Sequence, residues 1–135
     1  LRKARKMMVG IQGSKAFNDY AVFLSGMAMV LRRLKDLDEE LVIFNGGPKK
    51  IKDMALEFVN VSNFKSRGIK VKLVNVPESW FKTNFYKLEM FSFFCNSKES
   101  FPDLVKFLES KDVDVQIHRY HEIKQNKKDS IYYKG

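Results

Sequence analysis

Short apolar runs alternate along this chain with segments whose apolar residues recur every three or four positions. A short apolar run is typical of a buried β-strand, and the longer spacing is typical of a helix with one face in the core. Strands that alternate with helices need crossover connections, which predict a largely parallel sheet with helices on both faces. We therefore predict a Rossmann-like, three-layer α/β fold with a mostly parallel five-stranded sheet, its strands at residues 7–11, 41–44, 70–76, 90–95 and 113–118.

The apolar content of each run also predicts where its strand lies in the sheet. The run at 90–95 is almost continuously apolar, which is typical of a central strand buried on both faces. The run at 113–118 alternates between apolar and polar residues, which favours a sheet edge. We expect the strand that begins at Met7 to be central and the strand that begins at Val113 to lie at an edge.

Helical periodicity predicts helices at residues 20–34 and 51–61, and a further helix with its buried face at Phe101, Leu104, Val105 and Leu108. Ser100 is expected to cap that last helix, with Pro102 in its first turn. Gly68 stands where a helix end commonly needs a left-handed residue. Residues 78–89 are rich in aromatic side chains and predict a loop with a short helix.

Length and composition favour one domain. At 135 residues, 44% of them hydrophobic, the chain has material for a single core, which we place at residues 7–120 between a basic segment (1–6) and a basic tail (121–135). No apolar run is long enough to cross a membrane, and the first is too short for the core of a signal peptide. Cys95 is the single cysteine, so an intrachain disulfide is impossible. These features predict a cytoplasmic protein.

The charge is strongly basic, with 25 lysines and arginines against 16 acids and a formal net charge of +9. Such a balance favours partners that carry phosphates or other anions. Much of the excess is at the ends: residues 1–6 carry four cations and no acid, and residues 121–135 carry four lysines and two acids. The charge therefore predicts an anionic partner, without a continuous basic groove for nucleic acid.

Three polar loops follow predicted strands and should meet at the carboxyl edge of the sheet, at residues 13–19, 45–50 and 96–100. Gly13 and Ser14 precede a helix, where backbone amides and the helix dipole suit a phosphate. Either Ser14 or Asp19 could instead serve as the helix cap. Gly46 and Gly47 form a second such turn or an ordinary tight turn, and in the first case glycine would let a ligand approach the backbone.

Residues 9–20 read VGIQGSKAFNDY and resemble the opening strand and GSRxFxDY loop of the SLOG superfamily, in its YspA-like, YpsA-related branch. Residues 43–47, IFNGG, are similar to the family's second strand and Ser-Gly-Gly turn, and residues 77–80, PESW, resemble its aspartate-tryptophan segment. Order and spacing agree over about residues 7–118. The resemblance implies a Rossmann-like fold that binds nucleotides or nucleotide-derived ligands, among them sugar-nucleotide signals. Small stand-alone members are frequent in bacteria and their phages.

The chain departs from that family where polar contacts to the ligand are expected. Lys50 and Lys52 stand where the family continues its double glycine with a further glycine and an acid that would contact ribose. The family's arginine-asparagine pair is not kept near Tyr86. The fourth loop lacks the Pro-Gly-Gly-x-Gly-Thr motif of the phosphoribohydrolase members, and Ser97 and Ser100 are the hydroxyls that remain there.

Two functions follow from these patterns. The first is non-catalytic binding of an anionic nucleotide or nucleotide-derived ligand at the carboxyl ends of the strands, by Gly13, Ser14, Lys15, Gly46, Gly47, Lys49, Ser97 and Ser100. The second is a basic module that binds nucleic acid or a protein partner and whose ligand site has degenerated, with Phe81, Phe85 and Tyr86 as residues that could stack on bases.

Catalysis and metal binding have weaker support. The loop acids Asp19, Glu78 and Glu99 each have an ordinary role as a cap or surface charge, so we predict no catalytic residue. His118 and His121 lack a third ligand, so we predict no metal and no cofactor other than a nucleotide-type ligand. A homo-oligomer is compatible with the sequence.

Overall fold

The computed structural model describes residues 5–96 and 100–120. These residues form five β-strands and four α-helices that alternate along the chain. The elements in chain order are β1 (Lys6–Gly13), α1 (Tyr20–Arg33), β2 (Glu40–Asn45), α2 (Lys49–Val61), β3 (Lys70–Asn75), α3 (Glu78–Asn84), β4 (Met90–Asn96), α4 (Asp103–Ser110) and β5 (Val115–Tyr120). Two short 3₁₀ helices, Phe64–Arg67 and Phe85–Lys87, follow α2 and α3.

The five strands form one sheet in the order β3-β2-β1-β4-β5, and every neighbouring pair is parallel. Met7 pairs with Leu41 of β2, and Val9 pairs with Met90 of β4, so β1 is hydrogen-bonded on both sides. The predicted central position of β1 and the predicted edge position of β5 are both confirmed.

The sheet divides the core into two layers, as the three-layer prediction requires. Alternate residues of each strand face opposite sides, so Val9 and Ile11 of β1 contact the layer under α1 and α2, whereas Phe91 and Phe93 of β4 face α3 and α4. Cys95 is fully buried in the second layer. The described residues therefore form a three-layer, Rossmann-like α/β fold.

Several local predictions need correction. Ser100 is not the N-cap of α4, because that position is occupied by Pro102, whose side chain makes no capping hydrogen bond. Proline brings its own fixed φ to that position, so the chain enters the helix without a hydroxyl cap. Gly68 is left-handed as predicted, with φ of 75°, but it ends the 3₁₀ helix Phe64–Arg67.

Element ends also differ from the predicted ones after residue 77. Residues 78–89, predicted to be a loop with a short helix, contain that helix as α3, and the 3₁₀ helix that follows it makes the segment mostly helical. Val113 belongs to the turn before β5, where its amide donates to the carbonyl of Leu108. Among the described helices, none is long and apolar enough to cross a bilayer. The predicted tail at 121–135 and most of the basic segment at 1–6 lie outside the described residues.

Candidate functional site

The carboxyl ends of β1, β2 and β4, after which the three loops were predicted, lie at one edge of the sheet. The chain leaves β1 toward β2 on one side, and β4 lies on the other side of β1. Strand order therefore reverses between β1 and β4, and in open α/β sheets such a reversal leaves a crevice at the carboxyl edge. The topology thus places the candidate site where Gln12, Gly13 and Ser14 leave the sheet.

The backbone amides that were predicted to hold a phosphate are already hydrogen-bonded inside the protein. Gly13 N donates to Gly47 O at 3.0 Å, and Ser14 N donates to Phe94 O at 2.9 Å. Gly46 N donates to Ile11 O at 2.8 Å, and Gly47 N donates to the Asn45 side chain at 2.9 Å. The loops continue the pairing of the strands beyond the sheet, so a phosphate would have to displace these bonds.

The glycines serve the packing of these loops. A Cβ atom on Gly13 would lie 2.5 Å from Ile51 Cδ1, and one on Gly46 would lie 2.7 Å from the Phe81 ring. Of the two turn glycines, Gly47 has the positive φ, at 88°. Close contact with core side chains therefore accounts for glycine at positions 13 and 46, and backbone conformation accounts for it at position 47.

The choice between Ser14 and Asp19 as the cap of α1 is resolved in favour of Asp19. Its carboxylate accepts a hydrogen bond from Val22 N at 3.1 Å, and its extended backbone is typical of an N-cap. The Ser14 carbonyl accepts from Phe17 N at 3.2 Å, which closes a turn before the helix. Asp19 is thus engaged in the structure of α1.

A cavity of about 340 Å³ opens between the ends of β1 and β4, and we name it the switch-point cavity. Its volume lies at the lower end of the range for small-molecule sites. Its lining combines a buried amide and two hydroxyl-bearing residues with two aromatic rings, and consists of Gln12, Gly13, Ser14, Phe93, Ser100, Phe101 and Pro102. Three of the seven lining residues are predicted site residues, and one of the other four is a polar residue that the sequence did not lead us to select.

That additional residue is Gln12, near the end of a strand that is otherwise apolar. Only 9% of the residue is exposed, and its Oε1 atom is buried without a hydrogen-bond partner among the described residues. Buried polar side-chain atoms are normally hydrogen-bonded, so an unpaired one calls for an explanation. The signal was present in the sequence as a glutamine at the end of a buried strand, immediately before a glycine turn.

A second cavity, also of about 340 Å³, opens at the ends of β2 and β3, and we name it the lysine cavity. Its lining includes two asparagines and two lysines, and consists of Asn45, Gly46, Gly47, Pro48, Lys49, Lys52, Asn75 and Val76. Asn45 Nδ2 donates to Asn75 Oδ1 at 3.0 Å, which links the two strand ends. This cavity contains the predicted residues Gly46, Gly47 and Lys49 and adds Lys52.

The two lysines of this cavity differ in their surroundings. Lys49 Nζ lies 2.9 Å from the Asp53 carboxylate, and 84% of the Lys49 side chain is exposed. Lys52 is half-buried and has no ion pair within the described part of the chain. Lys52 therefore presents the less neutralised positive charge. The sequence held a signal for this pair, because residues three positions apart in a helix, such as Lys49 and Lys52, lie on the same side of it.

The remaining predicted site residues are Lys15, Ser97 and Ser100, and the two that the structure describes do not lie together in one cavity. Lys15 is exposed on the loop after β1 and lines neither cavity. Ser100 is exposed and lines the switch-point cavity, and Ser97 lies outside the described residues. The structure therefore places six of the eight predicted residues in two cavities rather than in one phosphate loop.

The three aromatic residues considered for base stacking differ in their exposure to solvent. Phe81 is fully buried against Phe91, with ring centroids 5.2 Å apart, so it cannot stack on a base. Phe85 is half-buried, whereas Tyr86 is 70% exposed with Lys87 Nζ 5.9 Å from its ring centroid. Tyr86 is thus the exposed member of the three.

His118 lies on β5, away from both cavities, and is a second polar residue with a buried, unpaired atom. Its ring stacks on Phe94 with centroids 5.1 Å apart, and its Nε2 atom has no partner among the described residues. Burial lowers the pKa of His118 to about 4, because the protonated ring would lose its hydration. Within residues 5–96 and 100–120, no three potential metal ligands lie together.

Comparison with protein-family models, curated proteins and solved structures finds no match to this chain. The resemblance of residues 9–20 to the SLOG superfamily stays a prediction.

Proposed function

We propose that this protein binds a small anionic ligand derived from a nucleotide at the carboxyl edge of its sheet. The observation that supports this most is the arrangement of the two cavities on either side of one hydrogen bond, from Gly13 N to Gly47 O at 3.0 Å. Gly13 lines the switch-point cavity, and Gly47 lines the lysine cavity. A ligand with a neutral part and a charged part could therefore occupy both.

The lysine cavity suits the charged part. Lys49 and Lys52 line it, and Lys50 is exposed on the same first turn of α2. No carboxylate belongs to its lining among the described residues. Lysine ammonium groups bind phosphate as compact point charges. An anionic group here would need no bond to the backbone amides that the loops already use.

The same geometry favours binding without catalysis. Neither cavity is lined by an aspartate or glutamate in the part of the chain that the structure describes. Asp19 accepts a bond at the start of α1, and Asp53 pairs with Lys49. A general acid or base must lie within hydrogen-bond reach of the reacting group. We therefore propose a binding protein in place of a hydrolase.

The alternative proposal is a basic module that binds nucleic acid or a protein, and Tyr86 is the observation that favours it. An exposed tyrosine beside Lys87 can stack on a base while the lysine approaches the phosphate. Tyr86 lines neither cavity, so changes at Tyr86 and changes at Lys52 test different proposals.

Thermal-shift and calorimetric titration with nucleoside 5′-monophosphates test the first proposal. We expect the wild type to bind, and we expect Lys49→Ala with Lys52→Ala to weaken the affinity by about tenfold and to reduce its dependence on salt. Lys65→Ala with Lys106→Ala is the matched control, since both lysines are exposed, line neither cavity and remove the same charge.

Two results would decide against ligand binding at this edge. One is the absence of any shift with millimolar nucleotides, and the other is equal weakening by the site pair and the control pair. Native mass spectrometry of freshly purified protein adds a check for a copurified nucleotide. If a labelled single-stranded oligonucleotide binds and Tyr86→Ala abolishes its binding, the alternative is the better description.

A further inference from the structure

The switch-point cavity holds the clearest unsatisfied group at the proposed site. Gln12 is nine-tenths buried, lines the cavity and leaves its Oε1 acceptor without a partner among the described residues. A Cβ atom on Gly46 would lie 3.5 Å from Gln12 Nε2. The donor end of the amide is therefore turned toward Gly46, which lines the lysine cavity. The Gln12 amide therefore offers an acceptor and a donor side by side.

The walls of the cavity suit a flat, uncharged ring. Phe93 and Phe101 meet nearly perpendicularly, with ring centroids 6.3 Å apart, and Pro102 adds a third apolar surface. The Arg119 guanidinium lies 4.6 Å from the centroid of the Phe101 ring, which helps to hold that ring in place. Aromatic walls around one polar side chain are typical of pockets that bind a heteroaromatic group.

A phosphate suits this cavity poorly. No lysine or arginine belongs to its described lining, and the Gly13 and Ser14 amides donate to carbonyls of the protein. The first turn of α4, which follows Pro102, carries the carboxylate of Asp103. A negative side chain at that helix end opposes the binding of a second anion. The charged part of a ligand therefore belongs in the lysine cavity, and the neutral part belongs beside Gln12.

We infer that the switch-point cavity binds the nucleobase and that Gln12 selects a base with an exocyclic amino group, as in adenine. Gln12 Oε1 is itself buried in the ligand-free protein, so the amide would rotate toward the cavity on binding. The amino N–H would then donate to Gln12 Oε1, and the neighbouring ring nitrogen would accept from Nε2. A glutamine amide pairs with adenine in this two-bond manner in protein–DNA complexes. The inference rests on the proposed function, because it assigns the base and the anionic group of the same ligand to the two cavities.

The test compares adenosine with purine riboside, which differs from adenosine only in lacking the amino group, by calorimetric titration. We expect the wild type to bind adenosine about tenfold or more tightly than purine riboside. Gln12→Leu should abolish this preference. Lys52→Ala is the matched control, and it should weaken adenosine 5′-monophosphate relative to adenosine while leaving the preference for the amino group unchanged.

Failure of the inference and failure of the proposed function give different results. If nucleotides bind but adenosine and purine riboside bind equally, or if Gln12→Leu keeps the preference, base reading by Gln12 is wrong and nucleotide binding stands. If neither adenosine 5′-monophosphate nor any other nucleotide binds the wild type, both are wrong. Should Gln12→Leu fail to fold, as judged by circular dichroism, Gln12→Met provides the same test with an unbranched apolar side chain.

Discussion

Gln12 and His118 are both polar residues of the sheet with a buried atom that lacks a hydrogen-bond partner, yet their surroundings differ. Gln12 borders a cavity of about 340 Å³. His118 is packed against the Phe94 ring, and a Cβ atom on Gly26 would lie 2.8 Å from its Cδ2 atom. Gln12 thus belongs to the wall of a cavity, whereas His118 is packed between the Phe94 ring and the backbone of α1 at Gly26.

The difference shows when an unpaired polar atom indicates a ligand. A histidine can lower the cost of burial by staying neutral, which is why the pKa of His118 falls to about 4. A glutamine has no proton to lose, so its amide needs a partner from protein, water or ligand. The unpaired atom of Gln12 therefore supports a ligand site, whereas the unpaired atom of His118 bears on the stability of the fold.

The largest effect we expect is a loss of stability when His118 is forced to protonate. Its pKa is about 4 in the folded protein and about 6.5 when unfolded, so the unfolded state binds the proton first as the pH falls. Stability should be nearly constant well above pH 6.5 and should fall with a slope that approaches about 1.4 kcal/mol per pH unit below it, or by about 2 kcal/mol between pH 6.5 and 4.5. Urea unfolding at a series of pH values measures this.

His118→Phe is the variant that isolates this effect, because phenylalanine keeps a ring on Phe94 and does not titrate. Its stability should be nearly flat over the same interval. Asp114 does not interfere there, since its hydrogen bond from Arg33 lowers its pKa and its contribution is lost only as the pH falls below its unfolded value of 3.8. An unchanged pH dependence in His118→Phe would show that another group is responsible.

A similar or smaller loss of stability is expected from adding a side chain at Gly26, where the helix backbone packs against His118. A Cβ atom on Gly26 would lie 2.5 Å from the Phe94 ring, so Gly26→Val should destabilise the protein by about 2 kcal/mol through overpacking, despite a better helix propensity. Ser25→Val, at the exposed neighbouring position of α1, should change stability by less than about 0.5 kcal/mol. Equal midpoints in urea for the two variants would mean that His118 is not enclosed.

The fold could be predicted from the sequence because its signals are local. Each apolar run marked a strand, and the alternation with helices required parallel crossovers. The alternating pattern of the last run placed β5 correctly at an edge, and the expected central position of β1 was also correct. The end of β5 and the cap of α4 were less predictable, because a shift of two residues changes few local contacts. Pro102 overrode the expected serine cap.

The site was predictable only in its location. Glycine turns pointed to the carboxyl edge, but whether their amides are free depends on pairing between distant loops, such as Gly13 with Gly47. The closeness of Ile51 to Gly13 and of Phe81 to Gly46 likewise arises from tertiary packing. Gln12 was overlooked because a polar residue at the end of an apolar run normally marks the end of a strand.

The smallest effect we expect is a gain of stability in ligand-free Gln12→Leu. An unpaired buried acceptor costs about 1 kcal/mol or more, and leucine has a similar bulk without that acceptor. The variant should therefore be about 1 kcal/mol more stable than the wild type in urea, once any copurified ligand has been removed by unfolding and refolding. Gln116→Leu is the matched control on β5, and it should show no gain because Gln116 Nε2 donates to Asp114 at 3.0 Å. A clear loss of stability in Gln12→Leu would mean that the Gln12 amide is already satisfied in the ligand-free protein, and the contrast with His118 would disappear.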